Sequence, residues 1–324
     1  RAHDSLDWSR RVEKETIASH GDDWRRVAAS VRSHPKYHGL ELKPQLGLVP
    51  IGPDPISKLE EFWLPRTGSE PVRNEDGWLV REQDFGVVLV LVPGGTARIG
   101  SDAGPRVYDN EVPAHDVELA PFFIGKYELT QGQFERLFRF NPSKYTSARS
   151  KAKPVETVSW NEVSELLPRC GLHLPTEAQW EYACRAGTGT LWYFGDDRAS
   201  LLRDGVGRFN AASHNIPDAG LWPQYEDGFS VHTAVGRYEP NAFGLYDMHG
   251  NIAELTRGPN TNGYRDVRHA PGDGLILGEP TPRAIQRGGS YFKAVEDARS
   301  AARVPIDKDA KYDNVGLRVV RPIQ

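Results

Sequence analysis

The chain has 324 residues, room for two ordinary domains or one large one. Its 38% hydrophobic, 26% charged and 10% aromatic content, with 32 Gly and 24 Pro, describes a globular, loop-rich protein and excludes a disordered or collagen-like one. No apolar run reaches the roughly 18–20 residues a membrane helix needs, and a net charge of −4 argues against a dedicated basic nucleic-acid surface. Two cysteines exclude a disulfide-stapled scaffold and a four-cysteine zinc site. The chain starts at Arg1 and its single methionine is Met248, so it is expected to be a piece of a longer polypeptide. With no signal-peptide pattern at its start, that polypeptide is expected in the cytoplasm.

Residues 1–38 show helical spacing, with Leu6, Val12 and Ile17, then Trp24, Val27 and Val31, on one face of two helices broken at Gly21 and ended by His34-Pro35. Residues 39–85 are punctuated by Pro and Gly and permit only short strands. Asn74-Glu75-Asp76-Gly77 forms a hairpin tip that returns through Trp78-Leu79-Val80. The apolar run 86–92, ended by Pro93-Gly94-Gly95, suits a buried strand and opens the main domain, 86–324. Three helices then begin with a hydroxyl residue followed three positions later by Gln or Glu: Thr130 with Gln133, Ser159 with Glu162, and Thr176 with Gln179. Gly171 and Gly187 close the second and third. From 188 onward, Gly, Pro, Asn and Asp surround short strands such as 275–277 and 315–320. So long an irregular span needs a stabiliser, either bound metal or a loop system packed on its own aromatics.

Four ordered motifs carry a resemblance. They are His173-Leu174-Pro175-Thr176-Glu177-Ala178-Gln179-Trp180-Glu181-Tyr182-Ala183, then 241–251 (Asn-Ala-Phe-Gly-Leu-Tyr-Asp-Met-His-Gly-Asn), Arg287-Gly288-Gly289-Ser290-Tyr291, and 299–303 (Arg-Ser-Ala-Ala-Arg) through Val315-Gly316-Leu317-Arg318. Their order resembles the formylglycine-generating enzyme (sulfatase-modifying factor) family over about residues 86–324. The resemblance implies an α+β fold of the C-type-lectin-like kind, with little regular secondary structure. The segment 39–63 is similar to sequences that precede this domain in large bacterial proteins, where it links to a kinase, a protease or another effector.

The family's enzymes oxidise a substrate cysteine with a cysteine pair near the Gly-Gly-Ser motif and copper held by thiolates. That chemistry needs sulfur at the site, because a soft ligand selects Cu(I). Here Lys293 stands two positions after Tyr291, and residues 288–324 contain no cysteine, so a non-catalytic member is expected, without copper or iron. Cys170 and Cys184 flank the Leu-Pro-Thr-Glu helix and read as free, buried thiols. The ten histidines, His115 and His249 included, form no His-x3-His-x-Glu pattern of the kind the family's sulfoxide synthases use, and read as surface or core residues.

Calcium is the expected cofactor, since hard oxygen ligands can pin irregular loops. The resemblance implies two sites. The first uses side-chain oxygens of Asn210 and Asp227 with carbonyls of Ala211 and Phe229. The second uses Gly250, Ile252 and Glu254, where Ala253 and Leu255 replace the family's usual Trp. The alternative is that Asn251 and Asp227 make loop hydrogen bonds without metal.

From residue 287 onward the anchors Arg287, Gly288, Gly289, Ser290, Arg299, Arg303, Gly316 and Arg318 alternate with Phe292, Lys293, Ala294, Val295, Asp297, Val304, Ile306, Asp307, Tyr312 and Asp313. Mixed aromatic, charged and apolar side chains on irregular backbone suit a ligand-binding face. Related proteins diversify this segment by retroelements, while the plain alternative is a loop covering the core. The expected function is recognition of a protein ligand, in the service of an attached or partner effector. The rivals are a divergent metal-dependent oxidoreductase and a structural subunit.

Overall fold

A computed structural model describes residues 2–80, 82–102, 104, 107–197, 199–203, 206–211 and 227–324. Its largest sheet has five antiparallel strands in the order Val49–Pro53, Glu60–Leu64, Val87–Val92, Phe122–Gly125 and Val320–Pro322. The run 87–92 is apolar at every position because it is the central strand and is buried on both faces. Residues 39–85 and 86–324 therefore contribute strands to one sheet. Helix α1 (Ala2–Thr16) precedes α2 (Gly21–Ser33), which lays Trp24, Val27 and Val31 into the same core, with Trp24 5.5 Å from Phe62. The break between α1 and α2 is the 3₁₀ turn Ala18–His20, not Gly21, which is the first residue of α2 with an ordinary helical φ of −57°.

The three later helices are α3 (Gln131–Phe138), α4 (Trp160–Leu166) and α5 (Glu177–Arg185). Thr130–Gln133 and Thr176–Gln179 close reciprocal capping boxes, each satisfying two orphan backbone donors. Ser159 caps the N–H of Glu162, but the Glu162 carboxylate turns away to accept from Lys311 Nζ at 2.9 Å, so α4 has half of the box. The left-handed residue ending α5 is Ala186 (φ 46°), one position before Gly187.

A second sheet orders Val304–Asp307, Arg283–Arg287, Ala253–Leu255 and Val315–Gly316, the last pair parallel. The apolar stretch 315–320 is not one strand. It pairs with Ala253–Leu255 at Val315–Gly316, crosses, and joins the large sheet at Val320. Gly316 permits the crossing: a Cβ there would sit 2.1 Å from the Val155 carbonyl oxygen. The hairpin 72–80 and the strand Ile276–Leu277, paired with Arg268–His269, form as the sequence suggests.

Candidate ligand-binding site

The motif residues are first of all a frame. Arg303 grips both oxygens of Glu177 (2.6 and 2.8 Å), Arg299 grips both of Glu111 (2.7 Å each), Arg287 pairs with Glu181, and Arg318 pairs with Glu254 at 2.7 Å. All four guanidinium groups are buried, and each also donates to backbone carbonyls, as Arg318 does to Gly125 and Tyr246. A buried charge survives only when paired and hydrogen-bonded, which accounts for glutamates and arginines recurring at fixed places in the motifs.

This frame presents the segment after Arg287. Gly289 adopts φ 69°, and a Cβ there would meet Ala298 at 2.8 Å, so the chain turns sharply against the 3₁₀ turn Val295–Ala298. Ser290 Oγ then accepts from Asn314 Nδ2 at 3.0 Å, fixing the start of the face to its end. Between them lies a cavity of about 460 Å³ lined by Arg283, Gln286, Phe292, Lys293, Val304, Pro305, Ile306, Asp307, Tyr312, Asn314 and Val315.

Six of the ten expected face residues line this cavity: Phe292, Lys293, Val304, Ile306, Asp307 and Tyr312. Phe292 and Tyr312, at 65% and 53% exposure, are the two most exposed aromatic side chains among the described residues. Ala294, Asp297 and Asp313 lie beside the cavity in sequence but do not line it. Asp313 accepts from Lys144 Nζ at 2.5 Å and from Tyr145 Oη at 3.3 Å. Burial raises the pKa of Asp297 despite the opposing pull of Lys293 and Arg299. Val295 is 2% exposed and packs with Trp192, Leu201, Phe209, Ala211 and Ala298, so its side chain belongs to the core rather than to the face. Sequence reading missed Arg283 and Gln286. They arrive by strand register, Arg283 opposite Asp307 and Gln286 opposite Val304, and Arg283 Nε donates to Asp307 Oδ1 at 2.9 Å.

Among the described residues the lining contains no Cys, His or Ser. It offers cations, one carboxylate, amides and two aromatic rings, a set that binds by ion pairing, hydrogen bonding and stacking. Both cysteines lie outside it. Cys184 Sγ is buried 3.8 Å from the His249 ring nitrogens, 3.8 Å from Ser300 Oγ and 3.7 Å from the Met248 carbonyl. Burial pushes this thiol up to about 12 and the His249 imidazole down to about 3. His249 Nδ1 donates to the Ala298 carbonyl (2.6 Å) and Nε2 accepts from the Tyr193 N–H (3.1 Å), the arrangement of a neutral ring. The pair is therefore not a thiolate–imidazolium couple. Cys184 is expected to resist maleimide in the folded protein and to react fully after denaturant is added, which mass spectrometry of labelled peptides checks.

The two expected calcium sites differ in fit. Asp227 is buried, and its oxygens accept from the N–H groups of Ala211 (2.7 Å) and Phe229 (2.8 Å). Burial raises its pKa, and no cationic side chain among the described residues neutralises it. Asn210 Oδ1 is buried without a hydrogen-bond partner among the described residues. A carboxylate and an orphaned amide oxygen suit a hard cation, and Asn210, Ala211, Asp227 and Phe229 would hold it. At the second site both Glu254 oxygens are already occupied, by Arg318 and by Trp180 Nε1 (2.7 Å), while Asn251 Nδ2 donates to Glu128. Gly250, Ile252 and Glu254 do not fit a calcium centre, because Arg318 claims the carboxylate.

Residues 81–323 match the family described as Sulfatase-modifying factor enzyme 1-like domain. The chain belongs to this family. Within the sulfatase-modifying factor family it is 27% identical to a formylglycine-generating enzyme of Mycobacterium tuberculosis, over 72% of this chain and 97% of the relative. It is 26% identical to the inactive C-alpha-formylglycine-generating enzyme 2 of Mus musculus, over 80% and 95%. The solved Treponema denticola variable protein 1 superimposes with a TM-score of 0.62 at 19% identity, covering 74% of this chain and 96% of that one, which shows the shared C-type-lectin-like fold. Overall likeness thus reaches relatives named as enzymes and relatives named as inactive, and the residues at the cavity must separate the two. In this sulfatase-modifying factor chain those residues include Lys293 and no sulfur.

Proposed function

We propose that this chain is a non-catalytic recognition module that binds a protein ligand through the cavity and rim formed by its C-terminal segment, as part of a larger bacterial effector or signalling protein working in the cytoplasm. The observation that carries the reading is the cavity itself: a rigid arginine–glutamate frame supports exposed Phe292 and Tyr312 around a pocket where Lys293 replaces the family's sulfur. A frame independent of its exposed side chains tolerates their replacement, which suits a face diversified by retroelements. The described helices include none long and apolar enough to cross a membrane.

The test uses wild type and the Phe292→Ala/Tyr312→Ala double variant as paired baits in extract of the native host. Proteins retained by wild type and reduced at least about tenfold on the variant support the reading, since two truncated aromatic anchors remove most of an interface's energy. Identical captured sets would contradict it. The second reading, a divergent oxidoreductase, draws on the relatives named formylglycine-generating enzyme.

Calcium at Asn210 and Asp227 is proposed as a structural ion. Saturating calcium is expected to stabilise wild type by about 2–3 kcal/mol at a hundredfold excess over Kd. Asp227→Asn should lose that gain. Differential scanning calorimetry with and without chelator checks both.

A further inference from the structure

Away from the cavity, two half-buried histidines meet end to end. His115 begins the strand His115–Leu119, and His269 ends the strand Arg268–His269. Their Nε2 atoms are 2.8 Å apart, their ring planes 22° apart and their centroids 5.0 Å apart. The centroid separation exceeds the nitrogen separation by nearly two ring radii, so the lone-pair directions point at each other as in an N–H···N bond.

The outer nitrogens are engaged as well. His115 Nδ1 faces the Pro113 carbonyl at 3.2 Å, and His269 Nδ1 faces the Gly274 carbonyl at 2.8 Å. A ring nitrogen beside a carbonyl oxygen must carry a proton to bond it. Three contacts therefore need three protons, whereas two neutral imidazoles bring only two. The singly charged pair supplies all three. The doubly charged pair places two N–H groups against each other.

We infer that His115 and His269 form a single-proton clasp, completed when the pair gains one proton and forced apart when it gains a second. The clasp fastens the ribbon 95–99/115–119 to the hairpin 268–277, and it stands whatever the cavity binds.

Other groups set its field. Tyr264 lies on His115 with ring centroids 4.6 Å apart, and its hydroxyl approaches Glu177 beneath Arg303. Arg98, from the neighbouring strand, pairs with Asp116 and Asp102, and Glu181 acts from α5. On the hairpin, Arg268 precedes His269, and Asp273 is held by Arg257. Burial lowers the proton affinity of His115, the Pro113 carbonyl and Glu181 oppose that effect, and His269 and Arg98 reinforce it.

Two-dimensional NMR of the imidazole C–H and N–H groups between pH 8 and 3 tests the clasp. The expected result is two macroscopic steps shared by both rings and separated by about two or more pH units. Amide exchange over 268–277, after correction for intrinsic rates, should rise roughly tenfold only on the second step. His269→Phe should reduce His115 to one ordinary step, and retained β-sheet shifts in that variant would show that the fold persists. Independent single-step titrations of the two wild-type rings would overturn the inference, as would hairpin exchange that ignores the second step.

Discussion

Arg303→Ala is expected to cost about 3–5 kcal/mol of stability, because it strands a fully buried carboxylate. Glu177 receives two Arg303 donors, while its other partners, Arg287 at 3.6 Å and Tyr264 Oη at 3.5 Å, are more distant, and Arg287 is already paired with Glu181. Arg303 also donates to the Asn110 and Thr261 carbonyls, so truncation leaves those acceptors without a partner too. Arg303→Lys keeps the charge but not the planar fork, and should recover only part of the loss.

The pH dependence follows from Glu177. Burial pushes its pKa up, but Arg303 and Arg287 outweigh burial and hold it below the ordinary carboxylate value. A depressed acid contributes stability that is complete above its unfolded pKa and disappears as pH falls through the lower folded one. The gap between wild type and Arg303→Ala should therefore be widest near neutrality and narrow as pH falls, first as the stranded carboxylate of the variant takes up its proton and then, below about 4, as the wild-type pair loses its contribution. Urea titrations at several pH values measure this. A constant gap would show that the pair contributes through packing alone.

Gly316→Ala is expected to be at least as damaging, at about 3 kcal/mol or more and with loss of soluble protein in a marginally stable background. An added Cβ would lie 2.1 Å from the Val155 carbonyl oxygen and 2.3 Å from Ile252 Cδ1. The side chain can rotate away, but the carbonyl belongs to the backbone, where Val155 N–H donates to the Leu129 carbonyl. Gly316 also pairs with Glu254 across the parallel strands, so displacing it disturbs the carboxylate that neutralises Arg318. Urea midpoint and circular dichroism of the variant check this. A midpoint within experimental error of wild type would mean that the close approach is not rigid. Both variants act on motif residues that hold the frame and do not themselves line the cavity, consistent with motifs that mark a scaffold.

Local signals were the most readable. Thr130–Gln133 and Thr176–Gln179 announce their helices because capping is a contact within four residues, and the run 87–92 announces a strand buried on both sides. The motifs mark the C-terminal segment that lines the cavity, but not the partners that hold it: Glu111 and Arg299 are 188 residues apart, and no local pattern pairs them. Arg283 and Gln286 entered the cavity through strand register, which depends on the folded sheet. Val295 looked like a face residue because it sits among exposed neighbours, yet the 3₁₀ turn that contains it rotates the side chain inward. The sequence offers Glu254 as a calcium ligand but does not show that Arg318 and Trp180 already occupy its carboxylate. The helix break was misplaced because Gly21 is a helix breaker in general but serves here as a helical first residue.

The proposed recognition role has this family member grip a ligand and not oxidise one. Its most direct test is elemental analysis of the purified protein, combined with oxygen uptake in the presence of a cysteine-containing peptide and a thiol reductant, with and without added Cu(I). No stoichiometric copper or iron and no oxygen consumption above the buffer rate are expected. Tightly held copper or iron accompanied by peptide-dependent oxygen uptake would contradict it.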